Sequence, residues 1–298
     1  TAIGLVNMMS ELAPADAPAQ IITTDDAPDS YSFGFSVYGT ADELVPKLIS
    51  GDIDIALLPA NLASVVYNRT GGGISVIDIN TLGVLYVVSA DDSISSLQDL
   101  AGRTLLMTGK GMVPEYVVQY LLEQNGLTDQ VTIEFKSEAT ELAAVINSDP
   151  TAIALLPEPY VSVVTGRNPA LVVRVDLTEE WNLLGTEGQL ITGVTVVRND
   201  FLAEHPNIVW LFITHHLDSV FLANTDPVAT AEHVVAFGII DDAEVAARAI
   251  PRCNLVCLVD VEMQQALGSY LEVLYQANPE SIGGKLPEND FYYYTQAR

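Results

Sequence analysis

The chain is 298 residues long, 49% hydrophobic and 17% charged, with 39 acidic against 12 basic side chains. That is enough apolar material for one large core or two ordinary ones, whereas a formal charge of −27 leaves few cations to neutralise phosphates and argues against nucleic acid or an anionic membrane surface as a partner. No apolar run approaches the roughly 20 residues of a membrane span, and two cysteines, Cys253 and Cys257, are too few for a disulfide scaffold.

The chain opens on TAIGLVNMM, and TTDDAPDSY (23–31) reads as a loop. TADELVPKLISG (40–51) has helical spacing, IDIALL (53–58) reads as a buried strand, and Pro59 opens the next helix. VIDI (76–79) is strand-like, and LGVLYVVS (82–89) is an apolar run suited to crossing into a second half. RTLLMT (103–108) predicts a short strand, followed by TGKGMVPEY. This turn is not a Walker A loop, which needs a glycine, four residues, then Gly-Lys-Ser or Gly-Lys-Thr. Here Thr104 holds the first position and Gly111 the last. It predicts instead a glycine-rich turn into a helix that Pro114 starts and Gly126 stops, with free N–H groups and a positive dipole end facing outward. ITGVTVVRND (191–200) predicts a returning strand, and long amphipathic helices follow. CNLVCLVD (253–260) reads as extended, which separates its two cysteines too far for a bond. The tail DFYYYTQAR predicts an aromatic cap packed on one half.

A repeat organises these elements. Residues 41–66 and 139–164 align without a gap at an offset of 98, sharing IALLP and, further on, SVV. Each copy reads helix, buried strand, proline, helix, the pattern of βαβ units. Asp78 also matches Asp176 at this offset. The expectation is two similar lobes, 1–84 with 196–298 and 85–195, joined by two strand crossings that act as a hinge. TAIGLVNMM further resembles TGKGMVPEY, with Gly4 against Gly111. A strand precedes the latter, so the chain is expected to begin after its own first strand.

Ligands in parallel sheets bind beyond the carboxyl ends of strands, where helix N-termini converge. That rule nominates Thr1, Ala2, Tyr38, Gly39, Asn61, Asn80 and Thr81 in the first lobe. In the second it nominates Thr108, Lys110, Gly111, Glu158 and Tyr160, and at the return crossing Thr192. Converging N–H groups and Lys110 favour an anionic head such as sulfonate, carboxylate or phosphate. Tyr38, Tyr116 and Tyr160 would flank a ring or alkyl chain. Glu115 and Glu158 pull the other way, toward a donor such as an amine or heterocycle, and the residues alone leave both open.

No catalytic residue, metal site or cofactor is expected. There is no G-x-S-x-G, no HExxH and no Cys–His arrangement of known context. His215 and His216 point about 100° apart on a helix and do not chelate together; His215 with Asp218 is the only pairing their spacing allows. The NRT sequon at 68–70 is common by chance.

GDIDIALLPANLASVVYNRTGGG, INTLGVLYVV, TGKGMVPEYVVQYLLEQNGL, LPEPYVSVV, VDLTEEWN and LITGVTVVRNDFLAEHP fall together in an order that resembles the substrate-binding proteins of bacterial ABC importers, in the nitrate/sulfonate/taurine branch that includes thiamine-precursor binders. The resemblance implies an α/β, two-lobed periplasmic-binding-protein-like fold of type II and capture of a small solute by lobe closure. It further implies delivery to a permease from outside the cytoplasmic membrane, a monomer, and membrane attachment only through a lipid anchor. Contacts in such proteins come from the loop after the first strand, here Thr1 and Ala2, from the Asn61 turn and from the helix opening at Thr108 to Gly111. Two rivals share the plan. One is an enzyme of thiamine-pyrimidine-synthase type, whose cysteine-rich motif is missing here; the other is the ligand-sensing domain of a regulator.

Overall fold

A computed structural model describes residues 2–13, 32–38, 40–185 and 188–295. Nine strands form two sheets among these residues. The first sheet has the order β1 (Ile55–Pro59), β8 (Ile191–Arg198), β2 (Ile74–Leu82), β9 (Leu255–Leu258). The second has the order β5 (Thr132–Phe135), β4 (Thr104–Met107), β6 (Ile153–Pro157), β3 (Leu85–Ser89), β7 (Val172–Asp176).

Helices pack around both sheets. A short 3-10 turn, Ala2–Leu5, leads into α1 (Val6–Leu12), and α2 (Ala41–Ser50) and α3 (Ala60–Thr70) flank β1 in sequence. The second sheet carries α4 (Val113–Gln124), α5 (Ala139–Ser148), α6 (Tyr160–Arg167) and α7 (Leu177–Leu183). After β8 come α8 (Asn199–Glu204), α9 (Pro206–Thr225), α10 (Pro227–Ala236), α11 (Ala243–Ala249) and α12 (Asp260–Ala277).

The repeat is real at the level of backbone. Both ends of α2 and α5, and both ends of β1 and β6, lie 98 residues apart. Gly51 stops α2 in a left-handed C-cap at φ 86°, a conformation that glycine adopts without steric cost. The N-terminal likeness also holds: Val6 opens α1 as Val113 opens α4. In the second sheet β4 precedes that helix and sits between β5 and β6. Among the described residues, no strand pairs with the edge of β1 that faces away from β8.

The sheets are less uniformly parallel than the βαβ pattern predicts. Among the described strands the parallel pairs are β4 with β5 and β4 with β6. β8 runs antiparallel to both β1 and β2, and β3 runs antiparallel to both β6 and β7. The second sheet therefore holds one reversed strand, β3, whereas the first alternates throughout, since β9 also runs antiparallel to β2; β3 and β8 are each wedged between strands of the repeat. The cause is topological. β3 and β8 arrive from the opposite sheet, so they enter head-on, whereas a crossover helix returns a strand in its original direction.

The first crossing is tight. β2 ends at Leu82 in one sheet and β3 begins at Leu85 in the other, with Gly83 at the bend. A Cβ on Gly83 would come 2.9 Å from Leu190 Cδ2 and still nearer Thr178 Oγ1, so only glycine fits the approach. The return enters β8 at Ile191, and its pairing with β2 starts there, at Leu82. The expected boundary at 195/196 thus falls inside a strand of the first sheet.

The two halves share a core. Trp181 of α7 is fully buried between Tyr120 of α4 and Tyr270 of α12, at ring-centroid distances of 5.1 and 5.8 Å. Its indole N–H donates to the Gly188 carbonyl at 3.0 Å, which satisfies the one polar atom of the ring. At the C-terminus Phe291 is buried edge-on against Tyr67, and the Tyr293 N–H donates to the Val76 carbonyl. This is the aromatic cap that the tail predicts, docked on the first sheet.

Candidate functional site

A cleft of about 1620 Å³ opens between the sheets. β1, β6, β4 and β5 all aim their carboxyl ends at it. Pro59 and Pro157 end two of these strands, Thr108 and Gly109 follow the third, and Ser137 and Glu138 follow the fourth, all lining the cleft. Asn80 of β2, and Thr192 and Gly193 of β8, come from the crossing region. Tyr38 and Tyr160 supply aromatic surface from opposite sides of the chain's repeat. The cleft also runs along β1, past Phe33, Phe35, Ile55, Leu57 and Phe212. That extension explains a volume above the roughly 300–1,000 Å³ of an ordinary ligand pocket.

Of the residues nominated from sequence, Ala2, Tyr38, Asn80, Thr108, Tyr160 and Thr192 line this cleft. Thr1 and Gly39 lie outside the described residues. The remaining five point elsewhere, each for a visible reason. Asn61 is buried in the first turn of α3, where its amide donates to the Ser281 carbonyl at 3.0 Å. Thr81 lies inside β2 rather than after it; the strand runs to Leu82, so Thr81 is fully buried and donates to Asn80 Oδ1 at 2.8 Å. Glu158 turns inward and accepts from the Ser162 N–H and hydroxyl at 3.1 and 3.0 Å. Burial pushes its carboxyl above the usual glutamate range, against the opposing effect of those two bonds. Lys110 places its ammonium 5.8 Å from the Phe135 ring centroid. The Gly111 N–H donates to Glu115, so one donor expected for a ligand is already capped from within α4.

The pairing of His215 with Asp218 does not form. His215 Nδ1 lies 4.0 Å from Glu11, and the histidine with a buried partner is His216. Asn68 of the sequon is also engaged, donating to the carbonyls of Ile282 and Lys285. Both cysteines are free thiols.

Ser137, Glu138 and Thr140, at the opening of α5, were not nominated, yet they line the cleft. The repeat held the signal, since Gly39 and Thr40 project onto Ser137 and Glu138 at the offset of 98.

The chemistry of the lining is specific. Hydroxyl-bearing residues, Tyr38, Thr40, Thr108, Thr140, Tyr160 and Thr192, line it, and among the described lining residues there is neither Lys nor Arg. Glu43, Asp52, Asp54, Glu138 and Glu204 add negative charge. Thr192 Oγ1 is shielded from solvent and has no hydrogen-bond partner, so it is a donor held in reserve. Gly193 permits the crossing to close up, because a Cβ there would come 2.6 Å from Asn80 Oδ1. Such a site binds by dipoles and shape.

Two α/β sheets exchanging one strand each, with a cleft at the strand ends, define a two-lobed solute-binding protein. Residues 30–182 match the family described as ABC transporter, phosphonate, periplasmic substrate-binding protein, and the chain belongs to that family. Solved structures agree on the fold. An ABC transporter protein from Parabacteroides distasonis is similar over 99% of this chain and 95% of its own, with a TM-score of 0.80 and 21% identity. The periplasmic aliphatic sulphonate binding protein SsuA from Escherichia coli is similar over 96% of this chain and 89% of its own, with a TM-score of 0.70 and 13% identity. A desulfurization enzyme, DSZB, shares the fold at a TM-score of 0.58 and 14% identity, over 82% of this chain and 84% of its own. Comparison with curated proteins gives no match. The chain is therefore a periplasmic substrate-binding protein of an ABC transporter, a role that implies a small-molecule ligand and a permease. No described helix is long and apolar enough to cross a membrane.

Proposed function

We propose that the protein captures a small organic solute with a monoanionic head, a sulfonate, and passes it unchanged to its permease outside the cytoplasmic membrane. One observation carries the reading: hydroxyl and amide donors line the cleft, with no Lys or Arg among the described lining residues. A sulfonate spreads a single charge over three oxygens, and neutral donors can satisfy it one by one. A phosphonate dianion brings a second charge into a site already edged by Glu43, Glu138 and Glu204. Without a cation to offset it, that charge meets repulsion instead of pairing. Tyr38 and Tyr160 would cover the alkyl part. The likeness to the E. coli sulphonate binding protein supports the same solute class.

Capture requires contacts that form only when the halves approach, since equal affinity for open and shut forms shifts nothing. Thr192 and Thr108, at the crossing and after β4 of the second sheet, line the cleft and would make them. Calorimetric titration with alkanesulfonates, alkylphosphonates and alkylamines tests the head group. Tightest binding of a sulfonate is expected; a phosphonate or amine that binds more tightly overturns the charge reading. Solution scattering with the bound sulfonate should show a smaller radius of gyration, and an unchanged radius refutes closure.

A further inference from the structure

Away from the cleft, four elements bring together an unusual buried group. Asp78 of β2 and His216 of α9 are both fully buried, with Asp78 Oδ2 3.1 Å from His216 Nδ1. Cys257 of β9 joins them. One donor atom from each residue, the carboxylate oxygen, a ring nitrogen and Sγ, lies within 4.8 Å of the other two. Thr195 of β8 orients the carboxylate by donating its hydroxyl to Asp78 Oδ1 at 2.8 Å. The solute site makes no use of this group.

As an ordinary buried network it is incomplete. His216 Nε2 is enclosed without a hydrogen-bond partner and faces the backbone at Gly4, where a Cβ would lie 3.5 Å away. Such an orphan asks for a small partner of its own, on the side of the ring away from Nδ1, and it is separate from the group that Nδ1 forms with Asp78 and Cys257. Burial, and the Asp78 carboxylate after it, push the free Cys257 thiol up, so the metal-free group holds a neutral sulfur beside an acid.

We propose that Asp78, His216 and Cys257 form a binding site for a single zinc ion. Mixed oxygen, imidazole and thiolate donors suit zinc over magnesium or calcium, which take oxygen. A thiolate and a carboxylate offset the two positive charges, and the imidazole stays neutral, so the loaded site is uncharged inside the protein. Tetrahedral zinc sets its donors about 3.3–3.7 Å apart. The Asp78–His216 pair already approaches that spacing at 3.1 Å, and the wider separations within the 4.8 Å limit need side-chain adjustment of about 1 Å. Water takes the fourth position. Thr195 then serves the ligand carboxylate, as second partners of metal ligands do. Cys257 is half-buried on edge strand β9, and it is the side from which an ion arrives. The site also reaches the cleft: Asn80, a lining residue, donates to Thr195 Oγ1 at 3.2 Å.

The test is zinc binding by the whole protein, first stripped with chelator, in excess magnesium to occupy surface carboxylates. One equivalent of zinc should be retained, with a higher melting temperature and protection of Cys257 from alkylation. Cobalt in place of zinc should show a thiolate charge-transfer band. Cys257→Ser should lose that band and weaken zinc at least about tenfold, and His216→Asn should do likewise, while Cys253→Ser binds as the parent does. Cys257→Ser is half-exposed and carries the test if His216→Asn fails to fold. No zinc retained over magnesium, or equal retention by Cys257→Ser, means an adventitious ion only and overturns the site.

Discussion

The Arg252 guanidinium lies 3.9 Å from the carboxylate of Glu158. Arg252 belongs to the C-terminal part, just after α11, and Glu158 follows β6 in the second sheet, so the pair spans the two halves. The arginine side chain is half-exposed and the glutamate is buried. A screened charge at that distance offsets little, and burial wins: the Glu158 carboxyl sits above its ordinary value. A carboxyl raised in the folded state contributes stability that is full below the unfolded value, near 4.5, and that is lost as pH rises through the folded one. Relative to Glu158→Gln, the parent should therefore lose stability as pH climbs above the ordinary glutamate range. Urea midpoints of both proteins across that range test this; parallel curves would falsify it.

Gly83 marks the first crossing. Adding a methyl group there drives it into Leu190 and Thr178, and overpacking of this kind costs about 1–3 kcal/mol. Gly83→Ala should destabilise by that amount. The backbone itself is not the obstacle, since Gly83 is not among the residues with positive φ. Shortening the neighbour, as in Gly83→Ala with Thr178→Ala, should then recover part of the loss in chemical denaturation. No recovery would place the strain elsewhere.

Thr192 and Asn61 should separate binding from folding. Thr192 Oγ1 is unpartnered at the cleft, so Thr192→Val keeps the shape and leaves stability level. It should weaken the bound sulfonate by about 1 kcal/mol, roughly fivefold. Asn61 holds the Ser281 carbonyl from inside α3. Asn61→Ala should lower stability by about 1–2 kcal/mol and leave affinity nearly unchanged. Melting curves and titrations on both variants check the split; the reverse pattern would return Asn61 to the ligand.

The two residues also show where sequence reading stops. The repeat located α2, β1, α5 and β6 to within a residue or two at each end, because helix and strand periods are local and each copy repeats them. Thr108 and Tyr160 follow from that register by the strand-end rule. Asn61 satisfies the same rule and still turns inward, because its partner Ser281 lies 220 residues away and leaves no local trace. Asn80 and Thr81 read as lying past the end of a strand that in fact continues to Leu82, where the register with β8 is irregular and the Thr81 hydroxyl turns onto Asn80. The reversed strands β3 and β8 are invisible for a related reason, since strand direction is a property of the partner sheet. Asp78, His216 and Cys257 come from three distant segments, and only the assembled first sheet brings them together.

Tyr270 offers a last test, this time of the shared core. Its ring packs 5.8 Å from Trp181, but its hydroxyl is fully enclosed with no hydrogen-bond partner. Burial alone pushes the phenol far above its ordinary range, so it should stay un-ionised in the folded protein at alkaline pH. Removing an unsatisfied buried hydroxyl relieves a desolvation penalty of about 1–3 kcal/mol while vacating a small volume. Tyr270→Phe should accordingly be neutral or stabilising. Trp181→Phe is the contrast, since it breaks the 3.0 Å bond to Gly188 and leaves a cavity, and it should destabilise by more than 1 kcal/mol, on the order of other core truncations. Thermal unfolding of the pair decides the matter: a marked loss in Tyr270→Phe would mean that its hydroxyl has a bound water or another partner holding α12 against α7.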